Sequence, residues 1–239
     1  MGMGASYQLF PVSQKEIGQI TERIKDFDIK GVNVTIPYKE TILSQLDGIS
    51  DEAKAIGAVN TIALKKDKLY GYNTDYFGFG KMLSAHHIEI NNKTAVILGT
   101  GGSAKAVKAY LLDNQIKKIY LITRNKNQKI ASHPAVSLIN YEDLKEITGD
   151  LLINTTPIGM YPHIRSTPVG VNIVSNYTTL VDLIYNPKET EFLKLGRSQG
   201  KVTLDGLYML VAQAVKSQEI WQDREIPDFM IDKIYKNLN

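Results

Sequence analysis

Hydrophobic positions along the chain change period several times. Ile17, Ile20, Ile24 and Phe27 recur at spacings of three and four, the repeat of an amphipathic helix. Ser13-Gln14-Lys15-Glu16, just ahead of them, reads as a capping box in which the Ser13 side chain accepts from the Glu16 amide. The β-branched run from Gly31 to Ile36 predicts a strand, and Pro37 ends it. Pro37 is also well placed as the first residue of a helix running to about Leu46, where its missing N–H costs nothing. A brief helix over Asp51–Ile56 follows, then strands at Val59–Leu64 and Leu69–Tyr72 and a helix from Thr74 to about His87. From Lys93 the pattern changes. Thr94–Leu98 is a continuous apolar run of the kind buried on both faces of a parallel sheet. A glycine-rich turn, a helix at Lys105–Asp113 and a strand at Lys118–Thr123 complete one βαβ unit. Further strands are predicted at Leu151–Asn154, Leu180–Leu183 and Lys201–Leu204, with helices at Glu189–Gln199, Gly206–Glu219 and Pro227–Leu238. This alternation predicts an α/β protein with a parallel-sheet domain over 78–205. A smaller, discontinuous α/β domain would be built from 1–77 and 206–239.

Composition narrows the class. A chain of 239 residues holds one large domain or two small ones. Its 43% apolar and 22% charged content is globular. No apolar run approaches the ~20 residues that span a bilayer, and the opening Met-Gly-Met-Gly-Ala-Ser lacks the pattern of a signal peptide. With no Cys, disulfides, thiolate nucleophiles and Cys-built metal sites are excluded, and a reducing, cytoplasmic setting is expected. The net charge of +3 is spread with the two signs interleaved, unlike the basic stripe of a nucleic-acid-binding protein.

Three features carry candidate chemistry. Gly99-Thr100-Gly101-Gly102-Ser103-Ala104 contains G-x-G-x-x-A between a buried strand and a helix, the Rossmann-type dinucleotide fingerprint. Gly99 permits the tight turn, Gly101 lets backbone approach a pyrophosphate, and Ala104 allows close helix–strand packing; the helix start supplies N–H groups for the anion. An ordinary tight turn needs fewer glycines. At the end of the second strand, Thr123-Arg124-Asn125-Lys126 offers no acidic residue to hold an unphosphorylated ribose, whereas a guanidinium can clamp a 2′-phosphate, so NADP is favoured over NAD. Lys39, in the first turn of the helix expected after Pro37, meets the positive end of the helix dipole, a placement that suits a lysine exchanging protons. Taken singly, Lys39 also reads as a surface lysine, and Asp75 as the N-cap of the helix it opens. His86 and His87 fall late in a helix and point to different faces, and His133 and His163 lie in loops without partners at ligand spacing; no metal is expected. Trp221 reads as a packing residue.

Gly31-Val32-Asn33-Val34-Thr35-Ile36-Pro37-Tyr38-Lys39 closely resembles the N-V-T-x-P-x-K signature of shikimate dehydrogenases. Gly57-Ala58-Val59-Asn60-Thr61, Gly71-Tyr72-Asn73-Thr74-Asp75, Asn154-Thr155-Thr156-Pro157, Asp182-Leu183-Ile184-Tyr185-Asn186-Pro187 and Asp205-Gly206-Leu207-Tyr208-Met209 follow in the family's order, through to Gln213. The resemblance implies reversible reduction of 3-dehydroshikimate by NADPH, with Lys39 and Asp75 as the catalytic pair. It implies Thr35, Asn60, Tyr185 and Gln213 as ligands of the small-molecule substrate. The NADP site would comprise Gly99, Thr100, Gly101, Gly102, Ser103, Thr123 and Arg124, with Gly206 and Met209 near the nicotinamide. No nucleic-acid or membrane partner is implied, and the expected state is a monomer or homodimer.

The sequence departs from the family pattern at its start. Family members open with a strand, a Ser-x-Ser loop that binds the substrate carboxylate, and a helix; no Ser-x-Ser precedes Ser13 here. Loss of that strand would leave a sheet edge open and expose apolar surface at Val32, Val34 and Ile36. The corresponding expectation is a weak or inactive substrate site beside a competent NADP site. The alternatives to the main reading are a quinate/shikimate dehydrogenase using NAD and a catalytically impaired dinucleotide-binding protein. Gln218 stands where the family usually has an aromatic residue, an expected loosening of the returning helix.

Overall fold

The computed structural model describes residues 4–27, 29–125 and 133–238. The basic residues Lys126 and Lys129, read above with Arg124, lie outside them. A 3-10 turn at Ile17–Gln19 leads into helix α1 (Ile20–Asp26). Ser13 and Glu16 do meet ahead of it, and the Glu16 side chain reaches back to the Ser13 amide as in a capping box, but the Ser13 hydroxyl donates where the box has it accept. Ser13 Oγ and the Ser13 amide donate to the Glu16 carboxylate at 2.6 and 3.0 Å, and the Glu16 amide goes to the Ser13 carbonyl.

Four short strands follow: β1 (Gly31–Asn33), β2 (Gly48–Ile49), β3 (Thr61–Lys65) and β4 (Lys68–Tyr72), with helix α2 (Asp51–Ile56) between β2 and β3. They form one sheet in the order β1-β3-β4-β2, in which β3 is antiparallel to both neighbours and β2 is parallel to β4. Ile24, Ile42, Val59, Ile62 and Leu69 make its core. β1 is an outer strand. Beside it Val32 and Val34 are half-buried, while Ile36 is exposed.

The helix expected from Pro37 to Leu46 does not form. The Ile36–Pro37 peptide is cis, and only a 3-10 turn, Thr41–Gln45, follows it. Tertiary pairing competes with the helix here. The Lys39 carbonyl, which a helix would direct along its own axis, accepts instead from the Val59 amide at 2.7 Å.

Helix α3 (Thr74–Ala85) is capped by Asn73, whose side chain accepts from the Tyr76 amide at 3.3 Å. Asp75 is therefore not the N-cap but a first-turn residue, with its carboxylate directed elsewhere. The second sheet comprises β5 (Thr94–Leu98), β6 (Lys118–Thr123), β7 (Val136–Asn140), β8 (Leu151–Asn154), β9 (Thr179–Asp182) and β10 (Val202–Leu204). It is parallel throughout, in the order β10-β9-β8-β5-β6-β7. Helices α4 (Gly102–Asp113), α5 (Val171–Val174) and α6 (Glu191–Ser198) are interleaved with the strands, and α7 (Leu207–Gln222) and α8 (Phe229–Leu238) follow. Several short elements escaped the sequence pattern: β2 has two residues, β7 is half-buried along its whole length so that its apolar alternation is weak, and α5 and the 3-10 segment Asp143–Glu146 are single turns.

Strand alternation divides the core between the two faces of the sheet. Ala95, Ile97 and Leu121 join the cluster containing Phe79, Val107 and Val211, whereas Val96, Leu98 and Ile122 join Val174 and Phe192. Helix α7 returns along α3. A Cβ at Gly78 would lie 2.8 Å from the Met209 carbonyl oxygen, so glycine allows the two helices their close approach. Farther along α7, Trp221 donates its indole N–H to the Ile62 carbonyl at 2.8 Å, joining α7 to the first sheet. Gln218 accepts from the Gln222 side chain at 2.6 Å.

At the end of β9, Asp182 is fully buried and accepts from Thr190 Oγ1 at 2.7 Å, Asn154 Nδ2 at 3.0 Å and the Ile184 amide at 3.2 Å. Burial outweighs these bonds and raises its carboxyl to about 7. The unfolded chain keeps a carboxyl near ~3.9. Between about pH 4 and about pH 7 the folded state therefore binds the extra proton, and stability falls as pH rises through that window. Asp182→Asn should gain on the native chain by up to about 3 kcal/mol between pH 5 and pH 8 in urea unfolding. A pH-independent difference would show that burial does not govern this carboxyl.

Candidate active site

Lys39 and Asp75 meet across the end of the first sheet. Lys39 leaves the chain in the turn after Pro37, and its backbone is held by Val59, next to Asn60. Asp75 projects from the first turn of α3. Lys39 Nζ donates to Asp75 Oδ2 at 2.6 Å, with side-chain exposures of only 12% and 6%. The other carboxylate oxygen, Oδ1, accepts from Asn60 Nδ2 at 2.8 Å. The same nitrogen lies 3.0 Å from Thr74 Oγ1 and 3.1 Å from Gln213 Oε1, which share its second hydrogen, and Asn60 Oδ1 accepts from the Thr74 amide at 2.7 Å. Four of the residues singled out from the sequence thus form one hydrogen-bonded cluster drawn from the turn after Pro37, the start of β3, α3 and α7. Because Lys39 does not open a helix, the helix-dipole argument made from the sequence has no basis; the charge nearest the ammonium is the Asp75 carboxylate, of opposite sign.

The ammonium also donates to Ser103 Oγ at 3.1 Å. Ser103 lies in the first turn of α4, directly after the glycine turn. Gly99 has φ +104°, the left-handed region that glycine enters without strain, and a side chain there would press on Thr155 and Thr156. Gly101 is the N-cap of α4, and its missing Cβ points into open space. A Cβ at Gly102 would come within 2.9 Å of Lys39 Cβ, so the lysine stem lies against the glycine turn. A cavity of about 530 Å³ opens here, with Lys39, Gly101, Ser103, Thr123, Arg124 and Tyr141 on its walls. An open glycine turn, a helix start and an exposed guanidinium on one cavity fit an adenine dinucleotide carrying an extra phosphate.

The remaining predicted residues are placed as follows. Gly99, Thr100, Gly102 and Thr123 line the same cavity. Thr35 is exposed between β1 and Pro37, and its carbonyl accepts from the Tyr38 amide at 2.9 Å. Tyr185 is 49% exposed, just beyond β9 and outside the lysine cluster. Gly206 donates its amide to the Ile184 carbonyl at 3.0 Å, and a Cβ there would strike the Leu183 carbonyl. Met209 is 6% exposed, on α7 one turn before Gln213. Among the described residues, no group of three or more His, Cys, Asp or Glu is placed to hold a metal ion, and no helix is long and apolar enough to cross a membrane.

Several participants were not singled out from the sequence. Tyr141 follows the unpredicted strand β7 and reaches the cavity. Behind the cluster, Thr61 Oγ1 and Ser217 Oγ lie 2.9 Å apart, and Asn33 Nδ2 donates to both, at 3.1 and 2.9 Å. Asn33 and Thr61 fall within the motifs quoted from the sequence, but Ser217 carries no signal beyond a short polar residue interrupting an otherwise apolar stretch.

A doubly flanked parallel sheet, a glycine turn at the start of α4 and an ion-paired lysine facing that turn define a dinucleotide-dependent oxidoreductase. The shikimate dehydrogenase substrate binding domain matches residues 1–62. A shikimate dehydrogenase (NADP(+)) of Clostridium beijerinckii is 51% identical over 231 residues, 96% of this chain and 86% of that protein. The crystal structure of shikimate dehydrogenase 1 from Peptoclostridium difficile superimposes with a TM-score of 0.91 at 53% identity, covering 96% of this chain and 84% of that one. Shikimate 5-dehydrogenase from Thermus thermophilus, in complex with NADP(H) and shikimate, matches with a TM-score of 0.80 at 26% identity over 95% of this chain and 85% of that one. The chain belongs to the shikimate dehydrogenase family.

Burying an ion pair makes each charge dependent on the other. Asp75→Ala should destabilise the fold by roughly 3–5 kcal/mol, because it strands the ammonium, whereas the double substitution Lys39→Met with Asp75→Leu should cost less than that single change. Urea unfolding of the three variants measures this. A double variant at least as unstable as Asp75→Ala would mean that the pair itself stabilises the fold.

Proposed function

We propose that this chain catalyses the reversible NADPH-dependent reduction of 3-dehydroshikimate to shikimate. The observation that carries the proposal is the position of Lys39 Nζ, hydrogen-bonded to both Asp75 and Ser103 on a lysine that lines the glycine-turn cavity. NADPH, when bound, supplies the hydride for the substrate carbonyl carbon. Lys39 Nζ donates its proton to the carbonyl oxygen as negative charge develops there, and recovers it in the oxidative direction. Asp75 holds the ammonium in place, and Asn60 holds Asp75. Thr35, Asn60, Tyr185 and Gln213 bind the substrate's hydroxyl and carboxylate groups. When bound, NADPH would have its pyrophosphate held by the amides of Gly99–Ser103 and its 2′-phosphate by Thr123 and Arg124, with Gly206 and Met209 beside the nicotinamide. The end of β6 supports NADP over NAD: Thr123-Arg124-Asn125 carries a cation and no carboxylate.

The proposal includes a division into a substrate-binding part, 1–77 with 206–239, and a cofactor-binding part, 78–205. The four-stranded sheet lying within 31–72 and the six-stranded sheet within 94–204 support it. A cytoplasmic location and a monomeric or homodimeric state complete the reading.

Purified protein given shikimate and NADP+ should produce NADPH with saturation in both. Absence of turnover at saturating concentrations would overturn the proposal. Lys39→Ala should lower kcat by roughly 10²–10⁴-fold, the range for a general acid, while NADP+ binding measured by fluorescence titration stays at the native value. Arg124→Ala should raise KM for NADP+ by roughly tenfold or more and leave KM for NAD+ nearly unchanged, since only the former loses a charge-assisted phosphate contact.

A further inference from the structure

The contact between Lys39 and Ser103 joins the two halves of the site, and the glycine turn does not require a hydroxyl there. Ser103 is the second residue of α4, whose N-cap is the glycine Gly101, with no side-chain capping bond. The Ser103 hydroxyl is thus not used to cap its own helix. It accepts instead from Lys39 Nζ at 3.1 Å, while the same ammonium donates to Asp75 at 2.6 Å. Two further contacts bring the same segments together. The lysine stem lies where a Cβ on Gly102 would be, 2.9 Å from Lys39 Cβ, and Lys105 Nζ donates to Glu40 Oε2 at 2.6 Å. Successive residues of the lysine turn, 39 and 40, therefore engage the first turn of α4 at Gly102, Ser103 and Lys105.

An ammonium has three N–H donors and no acceptor. With one donor on Asp75 and one on Ser103, its third direction is set by the other two. A single partner would leave the Nζ group free to rotate about its own bond and swing on a flexible four-carbon stem. Two partners on separate segments remove that freedom, and such pre-organisation at a reacting group is a common source of rate.

We propose that Ser103 is a positioning residue for Lys39: its hydroxyl anchors the ammonium from the cofactor side, so that the remaining N–H is aimed at the substrate oxygen. Its contribution falls on the chemical step rather than on pyrophosphate binding, which the backbone amides of the glycine turn can supply without it. The assignment rests on the proposed role of Lys39 as proton donor.

Ser103→Ala and Ser103→Thr, in the full chain, test it with two readouts. In steady-state kinetics Ser103→Ala should lower kcat by roughly tenfold with KM for NADP+ within about twofold of native, and Ser103→Thr should recover most of the loss by restoring the hydroxyl. In a second measurement, without substrate, acetylation of Lys39 by acetic anhydride is followed by peptide mass spectrometry. Loss of one of its two anchors should raise the Lys39 labelling rate several-fold in Ser103→Ala, with Ser103→Thr close to native and the other lysines unaffected. A Ser103→Ala protein with native kcat, or one that changes only KM for NADP+, overturns the proposal; so does unchanged Lys39 labelling. If the native chain turns over no shikimate, the functional reading fails, and the labelling rate alone still decides whether Ser103 holds Lys39.

Discussion

The ion pair between Lys39 and Asp75 is the constraint around which the site is organised. Two opposite charges with little exposure to water carry a desolvation penalty that their mutual attraction offsets only if their remaining hydrogen-bonding capacity is also met. Asp75 meets this condition through Asn60, and Lys39 through Ser103. Each of those partners lies on a different segment. The pair can therefore exist only when the turn after Pro37, the start of β3, the first turn of α3 and the first turn of α4 are all in place.

That requirement explains features remote from the charges. Helix α3 carries Asp75, and α7 carries Gln213, which accepts from Asn60. The two helices approach closely at Gly78. Trp221, farther along α7, binds the Ile62 carbonyl and so ties the helix to the first sheet. Beneath the cluster, Asn33, Thr61, Thr74 and Ser217 share hydrogen bonds among themselves and with Asn60. A polar network inside a fold holds its members to one arrangement only when every member finds a partner, and these short side chains satisfy one another at the junction of sheet and helices.

The cofactor side follows a different physical logic. Anion binding at a glycine turn relies on backbone amides and open space, so its essential feature is the absence of side chains at Gly99 and Gly101. On the parallel sheet, Asp182 plays a supporting part: it links Asn154 at the end of β8, the Ile184 amide and the N-cap Thr190 of α6. Asn154 in turn accepts from the Thr156 amide and hydroxyl. Thr156 lies on the wall of the cavity. Strand ends, loop and cavity wall are thus joined through one buried carboxylate.

The parts legible in the sequence were those governed by neighbours along the chain. β5, β6 and β8 begin and end where their apolar runs do, and α2 spans its predicted residues, because burial on both faces and a well-formed cap are local patterns. The glycine turn was legible for the same reason. Pro37–Leu46 was misread because its pattern suits a helix, yet the Lys39 carbonyl is taken by Val59, twenty residues on. Asp75 was misread as a cap because Asn73, which caps the helix instead, looks equally suitable in one dimension. The motifs named Lys39, Asp75, Asn60 and Gln213 without showing that they touch. The amino-acid order by itself determined the α/β alternation, the dinucleotide turn and the residues available for chemistry. Tertiary structure alone decided that Lys39 binds both Asp75 and Ser103, since pairing buried charges depends on distances between segments that no local repeat encodes.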